Sequence, residues 1–366
     1  MRRMSALRAG MLFILAISVP GSVAAQEKYQ KLAQTGMKFL SVGVNARPSA
    51  LADAFTAAEG SSESMFYNPA GMARMNLFAD ASVGQIEWIA DILHNYGSVA
   101  VRPWNGDYGV FGLTFHYVDY GEIQATILAN NAQGYLDAGT FRPSASALGL
   151  GYAIALSDRF SVGANVKLAS QNLGSGYAEV SYVRGSGAQD SAFTGVREVK
   201  NSLDVYAFDL GVLYRTGYKS LTFGMSIRNF AKEVGFIKEK FQLPLTFRIG
   251  LAMNVLDVFE IDRTSQALTV VVDAEHPRDF PEQVKIGAEY LFLDRIALRV
   301  GYVTPADEHD LSFGLGVKQS MGGVKFALDY SYTPFGVFSS ANFPSTTEGR
   351  LGLPTVSRLS LSFGFE

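Results

Sequence analysis

Cysteine is absent from the 366-residue chain, so no disulfide framework or thiolate metal site can hold it together. Stability must come from burial and backbone pairing. A basic excess is missing too: 31 Lys and Arg stand against 34 Asp and Glu, which argues against a nucleic-acid partner. No segment beyond the amino terminus runs to about 18 uninterrupted apolar residues, so helical membrane spans are not expected. Histidine is scarce, and His94, His116, His276 and His309 form no His-x-x-Glu-His spacing. A Gly-x-Ser-x-Gly elbow is also missing. "DAEH" puts Asp273 and Glu275 on one side of a strand and His276 on the other, so the three do not converge. No catalytic residue, metal or cofactor is expected, and the chain reads as non-enzymatic.

What is present begins with an export signal. Arg2, Arg3 and Arg8 precede the apolar run "MLFILAISV", and the small residues of "VAA" predict cleavage after Ala25. Alternation dominates the remainder. In "RLSLSFGFE", Leu359, Leu361, Phe363 and Phe365 share one face, with Ser360, Ser362 and Gly364 on the other. "VKFALDYSY" and "VKIGAEYLF" repeat the pattern. About fourteen such runs are predicted, near residues 76–88, 95–103, 108–120, 143–156, 160–171, 202–215, 220–230, 243–255, 267–275, 283–292, 296–303, 311–319, 323–333 and 356–365.

Connectors alternate between tight turns such as "SDR" and "SMGG" and long segments at 121–142, 172–201, 231–242 and 334–355. Short turns on one rim and long loops on the other suit a bacterial outer-membrane barrel. The expected fold is therefore all-β, a transmembrane antiparallel β-barrel whose outer face meets lipid and whose two chain ends lie at the short-turn rim. A soluble β-sandwich also alternates, but it would need a second apolar face to pack against. "IADILHN" is short for an outer loop, and "LDVFEIDRTSQ" is long for an inner turn.

The faces opposite the apolar ones are mostly Gly, Ala and Ser with isolated charges. Inward-pointing candidates are Lys167, Asp209, Arg215, Arg228, Arg248, Asp273, Glu275, Lys285, Glu289, Arg299, Lys318, Lys325 and Asp329. Both signs are mixed, whereas an ion-selective pore concentrates one sign at a constriction. Mixed charges beside small residues suit a lumen occupied by protein, although solvated channel walls would show the same alternation. The candidate occupant precedes the first strand. "RPSALADAFTAA" predicts a short helix with Pro48 in its first turn. "SSESMFYNPAGMARM" then follows, broken at Asn68-Pro69. The chain divides into a signal peptide (1–25), an amino-terminal plug or hatch (26–75) and a barrel (76–366).

Residues 36–75, "GMKFLSVGVNARPSALADAFTAAEGSSESMFYNPAGMARM", resemble the amino-terminal signature of the PorV/PorQ family, itself similar to the FadL-type outer-membrane proteins. The matching positions include Arg47, Asp53, Phe55 and the element Asn68, Pro69, Ala70, Gly71, which with Pro48 of the expected helix make up the plug motif; Ala52 stands where relatives often have glycine. The resemblance implies a fourteen-stranded barrel with an amino-terminal hatch. It implies two jobs: binding translocon components or secreted client proteins in type IX-like secretion, or passive transport of a hydrophobic ligand through the lumen. A purely architectural barrel is a third reading. The long outer loops, including "SYVRGSGAQDSAFTGVREVK" and "FGVFSSANFP", are the expected docking surface.

Overall fold

The computed structural model describes residues 35–128, 132–179, 182–184, 191–193, 196–236, 240–259, 266–306, 309–335 and 355–366. The expected signal peptide and cleavage after Ala25 lie outside the described residues, as do parts of the loops expected to dock partners.

Fourteen strands pair in sequence order, each antiparallel to the next, and the last closes on the first. They are β1 Ala79–Glu87, β2 Leu93–Val101, β3 Val110–Asp119, β4 Ser144–Ala155, β5 Phe160–Glu179, β6 Val196–Arg215 and β7 Thr222–Phe230. The second half holds β8 Thr246–Asn254, β9 Gln266–Pro277, β10 Gln283–Phe292, β11 Ile296–Thr304, β12 Leu311–Met321, β13 Val324–Pro334 and β14 Thr355–Phe365. The seam runs from Ala79 opposite Phe365 to Glu87 opposite Ser357. Closure leaves no free edge, so backbone groups facing lipid are satisfied by neighbouring strands.

Alternation drives the two faces. Along β3, Val110, Gly112, Thr114, His116 and Val118 are buried, whereas Phe111, Leu113, Phe115 and Tyr117 are exposed. The outward side chains form the apolar exterior of a transmembrane barrel. Trp104, Tyr108, Phe111 and Tyr152 gather towards the short-turn rim, where the Tyr152 hydroxyl donates to the Tyr108 carbonyl at 2.9 Å. Amphipathic rings of this kind sit where hydrocarbon gives way to water.

All fourteen expected runs are strands, but two are longer than the alternation indicated. β5 and β6 each reach 20 residues and pair as far as Glu179 with Val196. A membrane strand needs only about 9–11 residues, so this hairpin projects past the long-loop rim. Residues 172–179 and 196–201 of the segment read as loop are therefore strand. A second hairpin, Ile123–Leu128 with Tyr135–Phe141, stands in the loop between β3 and β4.

The wall has one irregularity within its membrane height. Phe208 faces Phe230 and Leu210 faces Ile227, which leaves Asp209 opposite both Arg228 and Asn229. Asn229 takes φ 59 there, a left-handed conformation that asparagine tolerates. Its amide nitrogen donates to the carbonyls of Leu40 and Pro244.

Candidate functional site

Residues 35–75 pack against the inward faces of the strands, in order from the long-loop rim to the short-turn rim. Gly36 donates its backbone N–H to the Gln242 carbonyl, and both Thr35 and Lys38 bond to Asp279. Met37, Phe39 and Leu40 pack on Val118, Ala145 and Val205. Leu51, Phe55 and Tyr67 meet Val271 at mid-height. Met65, Met72 and Met75 end the path against Ala100, Val110 and Ala153. The described chain therefore starts at the long-loop rim, while the amino end expected at the short-turn rim lies outside the described residues. Alternation within strands says nothing about which way a preceding segment runs.

The helix expected from "RPSALADAFTAA" is a single turn, Ala46–Ser49. Ala52 and Asp53 stop it, with φ 57 and 60. Barrel groups take the backbone partners that a longer helix would use. The Ala52 N–H donates to Ser312 Oγ at 3.1 Å, and the N–H groups of Phe55 and Thr56 both donate to Asp273 Oδ2 at 3.1 Å. Thr56 Oγ1 joins them at 2.6 Å. Left-handed backbone at position 52 is the conformation glycine adopts without strain, which gives the alanine there a physical meaning. Close approach also needs bare wall positions: a β-carbon on Gly301 would fall 2.2 Å from the Ala52 nitrogen, and one on Gly163 2.5 Å from that of Ala70.

The motif residues are brought together. Arg47 grips Glu289 with two hydrogen bonds of 3.0 Å. Pro48 is buried in the helical turn, and Asp53 Oδ1 accepts from Ser49 and Tyr67. Burial opposes ionisation of Asp53, but Lys285, Arg358 and Arg248 overcome it and hold its carboxyl at about 2. Phe55 meets Tyr67 edge-on at 5.4 Å. Asn68, fully buried, donates to the carbonyls of Thr56 and Val212, while its Oδ1 accepts from Ala70 N–H. Pro69, Ala70 and Gly71 open the buried 3-10 turn Pro69–Arg74.

Charges on the wall pair across strands and with this segment. Arg248 donates to Glu275, which Lys285 also reaches, and Arg299 joins Glu289 to Asp329. Lys167 lies 2.9 Å from Asp209, and Arg228 sits over the Tyr67 ring at 5.6 Å. Arg215 meets Glu59 at the short-turn rim. Lys318 is half-buried among Arg47, Glu289 and Arg299. Lys325 corrects the expectation of a luminal charge. It has inward parity, but at the rim it is exposed and pairs with Glu366 at 3.2 Å, because the strand ends before the lumen closes over it.

Above the segment a cavity of about 360 Å³ opens at the long-loop rim. Its walls include Phe39, Val42, Trp88, Ile92, Phe280 and Phe335, and five cations line it against three carboxylates. Those carboxylates are all engaged: Asp53 and Glu275 as described, Asp279 by Thr35 and Lys38. Among the described residues Lys38, Arg248 and Lys285 are ion-paired, whereas Arg278 and Arg358 are not, and of these two Arg358 is the buried one. It is 3% exposed, donates to the Gly43 carbonyl and Thr333 Oγ1, and lies over Trp88 at 5.7 Å. No carboxylate lies within ion-pair distance of it among the described residues. His309 stands in the same lining with its Nδ1 buried and without a hydrogen-bond partner. Burial pushes its pKa down to about 4, so the ring is neutral.

Arg358 is not among the inward charges expected from the sequence, although alternation in "RLSLSFGFE" puts it on the small-residue face. Trp88 and His309 carried no signal, since connectors bring them to the cavity. His94 and His116 also went unnoticed as a pair; adjacent strands place their rings 5.2 Å apart, with Nδ1 and Nε2 at 3.0 Å.

No family model matches the chain, and no curated protein matches it in sequence. Solved structures do resemble it. The toluene transporter TbuX of Ralstonia pickettii is 13% identical over 88% of this chain and 99% of its own, with a TM-score of 0.53. The toluene transporter TodX of Pseudomonas putida is 10% identical over 88% and 98%, at 0.54. A FadL homologue of Pseudomonas aeruginosa is 14% identical over the same shares, at 0.51. At these identities the likeness establishes the fold.

Proposed function

We propose that the protein is an outer-membrane barrel that passes hydrophobic small molecules inward, with preference for those bearing one anionic group. The observation that carries this reading is Arg358, a buried guanidinium with no carboxylate at ion-pair distance among the described residues, lining a cavity beside Trp88 and Phe335. Asp53 answers the Arg358 charge only from beyond ion-pair distance, and a buried charge without a contacting counter-ion is unfavourable; an anionic head beside Arg358 and His309 supplies that contact while Trp88 and Phe335 cover the apolar body. The transporter barrels that share the fold support the same reading. Residues 26–75, exposed as the new amino end by cleavage after Ala25, act in it as the hatch that closes the lumen below the cavity.

Only two tryptophans occur, and Trp88 alone lines the cavity. In a Trp104→Phe background, titration with a hydrophobic carboxylate is expected to change Trp88 fluorescence at lower concentration than the matching alcohol. Arg358→Met weakens the carboxylate by about ten- to a hundredfold, the worth of a charge-assisted hydrogen bond. Equal responses to acid and alcohol, unchanged by the substitution, would refute the reading.

A second reading, a protein-binding component of type IX-like secretion or surface assembly, draws support from the amino-terminal resemblance and from the projecting β5–β6 hairpin. It predicts that the barrel isolated from its native membrane carries a translocon component or a secreted client; recovery of the barrel alone counts against it.

A further inference from the structure

Glu63 takes no part in the ligand reading. It lies in the 3-10 turn Ser62–Phe66 and is 4% exposed. Its Oε1 accepts a hydrogen bond from Ser362 Oγ of β14 at 3.1 Å, and its Oε2 is buried with no hydrogen-bond partner of normal geometry. Polar and charged groups face it from every element packed around it. Asp80 of β1 and Asp329 of β13 are like charges, Tyr96 of β2 presents its hydroxyl, and Arg47 and Asn45 come from the same amino-terminal segment.

The nearby guanidinium groups are already committed. Glu289 of β10 holds Arg47, and Arg299 of β11 bridges Glu289 and Asp329. Asp80 is committed as well, accepting the Ser62 N–H at 2.6 Å. An ionised Glu63 is thus a buried carboxylate without a counter-ion of its own, beside two others. Such a charge is strongly disfavoured, whereas a neutral carboxyl is not.

We propose that Glu63 is a proton latch: the amino-terminal segment stays seated while this carboxyl carries its proton and loosens when the proton leaves. The latch rests on the hatch role proposed above and is independent of the ligand. Burial, reinforced by Asp329 and Asp80 and opposed by Arg47, holds the Glu63 carboxyl up at about 7, against 4.5 for a free glutamate. A raised acid favours the seated state at low pH. That stabilisation is complete below pH 4.5, shrinks as the pH rises and is lost above about 7. One proton changes the equilibrium by at most about tenfold per pH unit in that window.

The test is conductance of the full-length mature barrel in planar bilayers, titrated across this window. The leak is expected to climb with pH and level off above about 7. Glu63→Gln stays low and level throughout. Asp80→Asn keeps an acceptor for the Ser62 N–H but removes a like charge, so its plateau is reached at lower pH; this variant decides the matter should Glu63→Gln not insert. Asn68→Ala, which loosens the segment by another route, raises the leak at every pH. A pH-independent leak in the wild type alongside a raised leak in Asn68→Ala overturns the latch and leaves the hatch standing. A Glu63→Gln barrel that follows the wild-type pH course also overturns the latch. No response to either pH or Asn68→Ala overturns both.

Discussion

A single cysteine at Thr35 reacts with a membrane-impermeant maleimide added to intact cells, whereas one at Asp158, in the turn between β4 and β5, reacts only after the membrane is permeabilised. The native chain has no cysteine, so each variant reports one position without background. The expected contrast is all-or-none because the two positions lie on opposite rims. Thr35 forms a parallel bridge with Gln242 beside the long loops, and its hydroxyl bonds Asp279 next to β9. Gly36 lets the chain lie close here, since a β-carbon there would overlap the Phe241 ring. From that point the chain descends through three successive side-chain clusters and emerges at Phe78, whose N–H bonds the Phe365 carbonyl at the short-turn rim. Labelling of Thr35→Cys only in permeabilised cells would show that the segment enters from the other side.

Asn68→Ala is expected to unseat the segment without harming the barrel. The side chain makes three hydrogen bonds at 0% exposure, one to the wall and two within the segment. Alanine leaves the Thr56 carbonyl and the Ala70 N–H buried without this partner. Each such group costs about 1–3 kcal/mol, so a loss on the order of 3 kcal/mol is expected. That is roughly a hundredfold in the balance between seated and released states. Conductance in planar bilayers reads the change, and heat-dependent mobility on gels confirms that the barrel has formed. An intact barrel with unchanged conductance would mean that the segment does not obstruct the lumen.

Parts of this site were legible because they obey local rules. Asn68-Pro69 marked a break, and the break became an Asn-capped 3-10 turn. Wall charges such as Glu289 and Arg299 were legible because period two assigns each strand residue to a face, and the register then places those two directly opposite. Lys325 shows the limit of that rule, which assigns a side and not a height. The helix at 47–58 failed for another reason: Ser312 and Asp273, more than 200 positions away, offered its backbone better-placed partners than its own next turn.

Taken by itself, the order of residues determined the strands, their number and which face of each meets lipid, because a β-strand encodes its two sides in every successive pair of residues. It also determined that greasy strands without cysteine needed a closed sheet. Only the tertiary structure decided the path of residues 35–75, the pairing of Arg47 with Glu289 and the burial of Arg358 and Glu63 outside any ion pair. Those depend on which groups meet across the lumen once it has closed, and no periodicity along the chain records such a meeting.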